Sequence, residues 1–236
     1  MAESHVSSDH FLEIRFKPLG SFLDMRGRVA DFISEKGLFR HWLITQDRIE
    51  FWNADDREDD PERAFAAYKN CGYQVHTPPT KNYFSDRASK FVSTLGEAPE
   101  FRYPTVERLG VRAKLYYSVA GASFEDIVDA FQSKLLVDSS RKLLGTRILD
   151  FGLNLDFREK GFSLNVRTGP MKKTQFVKEI SPFSEDEQIS DSGIFLDVDV
   201  FRLGGDGNPS SLTNDIKAFH SMCWERLALL ANFLGH

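Results

Sequence analysis

The chain has 236 residues, of which 41% are hydrophobic and 28% charged, a balance that excludes disordered, fibrous and membrane-embedded classes. Lys+Arg 30 against Asp+Glu 35 leaves a net charge of -5, which offers no broad basic field for general nucleic-acid binding and leaves room only for a local basic patch. Two cysteines, Cys71 and Cys223, make no disulfide framework, the start MAESHVSSDHFLEIRF lacks a signal-peptide pattern, and no run approaches the ~20 apolar residues of a spanning helix, so a reducing, cytoplasmic setting away from membranes is expected.

Leu12, Ile14 and Phe16 alternate with Phe11, Glu13 and Arg15, the period-2 pattern of a half-buried strand, which Pro18 and Gly20 end. Phe22, Met25, Val29, Phe32 and Ile33 then recur at helical spacing up to Gly37, predicting an amphipathic helix. Trp42 and Ile44 before Gln46-Asp47-Arg48, and Ile49 and Phe51 after it, predict two short strands about a tight turn. The run from Asp55 to Glu62 reads as a charged, solvated loop, because its carboxylates lack the central glycine and spacing of a calcium loop. Tyr73, Val75 and Thr77 alternate ahead of Pro78 and Pro79, and Phe84, Ala88, Phe91, Val92 and Leu95 mark a second helix closed by Gly96.

Glu97 to Pro104, with two prolines and a glycine nearby, is the best boundary between an N-terminal unit of residues 1–98 and a C-terminal unit of 105–236, unless the two run on as one continuous domain. The same order then recurs. Leu109, Val111, Ala113, Leu115 and Tyr117 predict a strand, and Ser123 with Asp126 three residues on predicts a capped helix carrying Phe124, Ile127, Val128, Phe131 and Leu135. Residues 149–158 predict the clearest strand, with Leu149, Phe151, Leu153, Leu155 and Phe157 on one face. Lys160-Gly161 turns it into Phe162, Leu164 and Val166; Phe176, Val177 and Ile180 suggest another strand, and Ser181 to Ser192 an acidic loop. Ile194, Leu196, Val198 and Val200 form the next strand, and Leu212, Ile216, Phe219, Cys223, Leu227 and Leu230 line a C-terminal helix. Both halves read β-α-β(several)-α, so the expected fold is α+β: two similar units forming mainly antiparallel sheet with helices on one face.

Leu12-Glu13-Ile14-Arg15-Phe16, Glu107-Arg108-Leu109-Gly110-Val111-Arg112, and Phe195-Leu196-Asp197-Val198-Asp199-Val200-Phe201 ahead of a helix with Phe219-His220 resemble, in this order, a sporadically distributed bacterial family of about this size. Ala113-Lys114-Leu115-Tyr116-Tyr117 departs from the Tyr-Asn-type pair usual after the mid-chain arginine, so the chain resembles a divergent member. The resemblance implies a bacterial protein with the patchy distribution of mobile or defence-associated genes, and supplies no catalytic residues.

Phosphate-loop, dinucleotide-fingerprint, His-Glu-x-x-His and Gly-x-Ser-x-Gly signatures are all missing, and no cofactor is expected. His220 and Cys223 share one helical turn and Cys71 lies near His76, but two loose pairs make neither a zinc site nor a catalytic dyad, and core packing is the simpler reading. The most distinctive constellation is the polar side of the second sheet. Arg112, Lys114 and Tyr116; Asp150, Asn154 and Asp156; Asn165 and Arg167; and Asp197 and Asp199 each occupy the polar face of a strand, with Phe195 and Phe201 flanking the two aspartates. Such a face fits cross-strand ion pairing, a binding surface, or a hard-cation site using Asp197, Asp199 and one of Asp150 or Asp156. The two phenylalanines fit a partner interface, self-association or a second small core, and the aspartates between them would repel a nucleic-acid backbone. The expectation is therefore a non-enzymatic binding or accessory protein that recognises a protein partner or small ligand through this face; the alternative is a metal-dependent enzyme acting on a phosphate-containing substrate.

Overall fold

A computed structural model of the chain describes residues 6–99, 101–144, 148–179 and 189–234. Its elements run β1 (Val6–Phe16), α1 (Phe22–Glu35), β2 (His41–Ile44), β3 (Arg48–Trp52), β4 (Glu62–Ala67), β5 (Asn70–His76) and α2 (Tyr83–Glu97). They continue β6 (Val106–Ser118), α3 (Phe124–Leu135), α4 (Asp138–Leu144), β7 (Leu153–Glu159), β8 (Phe162–Lys172), α5 (Lys173–Glu179), β9 (Ser192–Leu203) and α6 (Pro209–Leu234). The strands form a nine-stranded antiparallel sheet in the order β2-β3-β4-β5-β1-β6-β9-β8-β7, so the fold is α+β, as the alternating patterns require. Strands β2 to β5 and the pair β7-β8 are hairpin neighbours in sequence, the cheapest pairing for the chain to close. Among the described residues no helix is long and apolar enough to cross a membrane.

The chain divides into two compact units, one made of residues 10–112 and 200–221, the other of 1–9, 113–199 and 222–236. In the 10–112 unit, alternation sends Leu12, Ile14 and Phe16 of β1, Ile49 and Phe51 of β3, and Tyr73 and Val75 of β5 into the core. Phe22, Met25, Val29 and Ile33 of α1 and Phe84, Ala88, Phe91 and Leu95 of α2 are buried on the helical side. Edge-on ring contacts such as Phe51–Phe91, with centroids 6.1 Å apart, are the favoured aromatic geometry and account for much of the phenylalanine excess.

In the 113–199 unit, Ser123 caps α3 as its spacing predicts: its hydroxyl accepts from the Asp126 N–H at 3.1 Å and the Asp126 carboxylate accepts from the Ser123 N–H at 2.9 Å. Val119, Ile127, Phe131 and Ile194 form one core there. Tyr116, Phe176 and Ile189 form a second and smaller one.

Two sequence expectations in this unit need correction. Residues Phe176 and Val177 lie on helix α5, not on a strand, because both pack into the same small core; in a strand, neighbours would point to opposite faces. Ile180 and residues 181–188 of the expected acidic loop lie outside the described residues. The long strand expected from Leu149 starts only at Leu153, and Leu149 is exposed. There the carbonyl of Phe151 lies against Gly169, where any side chain would collide with it, while the Phe151 ring turns to Phe131 at 5.7 Å. Strand β4 and the short α4 carry no apolar periodicity and went unpredicted: the core face of β4 is Glu62, Ala64 and Ala66.

Candidate functional site

The polar faces foreseen in the second half are only partly gathered. On the 113–199 unit, Asn154 and Asp156 of β7 are exposed opposite Arg167 and Asn165 of β8, and the Asn165 amide donates to the Asp156 carboxylate at 2.6 Å and to Asn154 Oδ1 at 3.5 Å. These are cross-strand contacts of a solvated sheet edge. Asp150 precedes β7, and its carboxylate accepts from the N–H of Phe151 at 2.8 Å. Tyr116 is fully buried; its hydroxyl donates to the carbonyls of Met171 at 3.3 Å and Ser190 at 3.1 Å, and burial, with the nearby Asp191 charge, pushes its phenol up. Phe195 packs half-buried against the same small core. Asp197 is only 4% exposed, Asp199 and Lys114 are half-buried, and among the described residues no three His, Cys, Asp or Glu side chains are grouped so as to hold a metal ion. In the other unit Arg112 is exposed, and Phe201 lies half-buried with the Arg108 guanidinium 4.7 Å from its ring centre.

Cys71, Cys223, His10 and His220 are packed as core groups. Burial pushes the Cys71 thiol up to about 12, and burial likewise raises Cys223, so neither supplies the thiolate that a nucleophile or metal ligand needs. His220 is 3% exposed between Phe84, at 5.2 Å, and His10, at 4.9 Å; burial, then the charge of Lys81, brings its imidazole down to about 4.

A groove lies on the face of the 10–112 unit opposite its helices. The register of β2, β3, β4 and β5 sets His41, Trp52, Arg63 and Gln74 in one cross-strand row and Leu43, Glu50, Phe65 and Gly72 in the next. His41 stacks on Trp52 at 5.7 Å, and the Phe65 ring lies over Gly72, where a methyl group would also come within 2.7 Å of the Leu12 carbonyl oxygen. The groove above these rows measures about 390 Å³ and is closed along β1 by Phe11 and Glu13.

Its wall is the loop between β3 and β4, the run expected to be merely solvated. Buried Asp60 folds that loop: its carboxylate accepts from the backbone N–H groups of Asn53, of Ala54 at 2.8 Å and of Glu62 at 2.7 Å. This places Arg57 on Glu50 at 2.8 Å and draws Arg63 to the carbonyls of Glu58 at 2.8 Å and Asp60 at 3.2 Å. Arg48 sets its guanidinium 5.6 Å from the Phe65 ring centre. The indole N–H of Trp52, which lines the groove, is buried and has no hydrogen-bond partner among the described residues. The sequence held a usable signal: Arg48, Glu50 and Trp52 alternate with the core residues Ile49 and Phe51, so the polar set had to share one face.

No family model matches the chain, and no curated protein matches it either. The solved structure of a rolling circle replication initiator protein from Geobacillus stearothermophilus is similar over 89% of this chain and 80% of that one, at 8% identity and a TM-score of 0.29. A likeness that low carries no argument about what this chain does.

Proposed function

We propose that the protein is a cytoplasmic binding or accessory protein, and that its ligand occupies the groove on the 10–112 unit. One observation carries this reading: Arg48, Arg57 and Arg63, together with Phe11, Trp52 and Phe65, converge from β1, β3, β4 and the loop clasped by Asp60 to line a single groove. Its volume of about 390 Å³ falls in the ~300–1,000 Å³ range of small-molecule sites, which favours a small ligand over a flat protein interface. The resemblance of the LEIRF, ERLGVR and FLDVDVF segments to the sporadically distributed bacterial family supports an accessory role in a mobile or defence-associated system. A metal-dependent reaction on a phosphate-containing substrate has no comparable support, because Asp150 sits in a loop of its own and Asp197 is buried.

A fragment library screened by nuclear magnetic resonance against the isotope-labelled chain tests the groove. Binders are expected to shift the Trp52 indole N–H together with the Gln74 and Arg63 resonances. A screen whose hits all map elsewhere, or one without hits, overturns the proposal.

A further inference from the structure

We infer that the ligand of this groove is a small organic anion carrying a planar ring. This rests on the groove being the binding site. The groove contains two carboxylates and three guanidinium groups, and they differ in how fully they are committed. Glu50 is held by Arg57 at 2.8 Å. Glu13 is paired with Arg15 at 2.7 Å and accepts from the Asn70 amide at 3.1 Å; burial works to raise its pKa, but those hydrogen bonds and the Arg15 and Arg108 charges outweigh it and hold the carboxyl below its ordinary value. Both negative charges are thus already answered by the protein.

The cationic side is not. Arg63 is anchored only through backbone carbonyls, which orient the guanidinium without neutralising it, and among the described residues it forms no ion pair. Arg48 reaches Asp47 only at 3.6 Å, with both side chains more than two-fifths exposed, a contact that water largely screens. The groove therefore keeps uncommitted positive charge on a chain of net charge -5. A tethered guanidinium fork matches carboxylate or phosphate in a bidentate way. Phe65 and Trp52, side by side with Arg63 on the same face, supply apolar ring surface for a planar group. Glu13 and Glu50 inside the groove disfavour a polymer that brings one phosphate per unit.

Aromatic carboxylates and nucleoside monophosphates share this chemistry, and calorimetric titration of the full chain separates them. The probes are 2-naphthoate, adenosine monophosphate, neutral adenosine, inorganic phosphate and a single-stranded oligonucleotide. At least one charged ring is expected to bind about 10- to 100-fold more tightly than adenosine or inorganic phosphate, the usual worth of a charge-assisted pair. Arg63→Gln should abolish that advantage without strengthening adenosine, and Arg48→Gln, which leaves the loop tether intact, should reduce it. Equal binding of neutral and charged rings, binding of neither charged ring, or retention of the oligonucleotide alone overturns the inference. If neutral fragments still shift Trp52 in the resonance screen, the groove survives as a binding site while its anion preference falls; if nothing shifts it, both fall.

Discussion

Glu62 and Arg63 are neighbours on β4, yet they live under opposite rules. Glu62 points under the helices and is 7% exposed, and both of its carboxylate oxygens are answered: the hydroxyl of Tyr73 donates to it at 3.0 Å, that of Tyr83 at 2.7 Å, and the Arg87 guanidinium at 2.7 Å. Burial and the Glu62 carboxylate together push the Tyr83 phenol up to about 12, and the same causes raise Tyr73, so both stay protonated donors. Arg63, one residue on and one face over, is steadied by carbonyls and left with its charge. A charge taken into a dry interior has to be saturated or it destabilises the fold, whereas a charge on the open face is free to wait for a ligand. The contrast locates structural and working polarity on the two faces of one strand.

Breaking the saturated side should have the largest effect. Glu62→Ala leaves the half-buried Arg87 and two phenols without their shared carboxylate and is expected to lose about 2–4 kcal/mol in urea denaturation. A loss under about 1 kcal/mol would show that the network does little to hold the fold. Gly72→Ala comes next. It drives a methyl group into the Phe65 ring and toward the immovable Leu12 carbonyl at 2.7 Å, for about 1–3 kcal/mol, and it deforms the groove as well. Thermal unfolding of this variant with and without a groove ligand separates the two consequences.

The buried histidines sharpen the comparison through pH. Burial, then the charge of His220, lowers the His10 pKa, and burial, then the Lys81 charge, lowers that of His220 to about 4, against an ordinary value near 6.5. The folded state thus favours the neutral imidazoles, the unfolded chain takes up protons first, and stability is complete above pH ~6.5 and lost as pH falls toward about 4. Urea midpoints measured from pH 7 to pH 4 should fall, and His220→Gln should flatten the slope; an unchanged slope would remove His220 as a cause. The smallest effect belongs to the open face. Arg48→Gln is expected to change stability by no more than about 0.5 kcal/mol while weakening ligand binding, because its contacts are exposed.

What could be read from the residues alone follows the range of the interactions. The strand pattern of Leu12, Ile14 and Phe16, the stripes of α1 and α2 and the Ser123–Asp126 box are dictated by chain geometry within a few residues, and with them the α+β class. The mixed polar faces of the second half read alike in sequence. Yet folding buries Asp197 and Tyr116 and leaves Asn154, Asp156 and Arg167 at the surface, because alternation says that two faces exist and not what covers each. The same holds for Phe176 and Val177, whose shared core made a helix of an apparent strand. It holds for the groove too: Trp52, Arg63 and Gln74 come from three strands, and only their pairing register brings them into one row. Periodicity is a local property of the chain. Which face stays open is decided by what packs against it from residues far away in sequence.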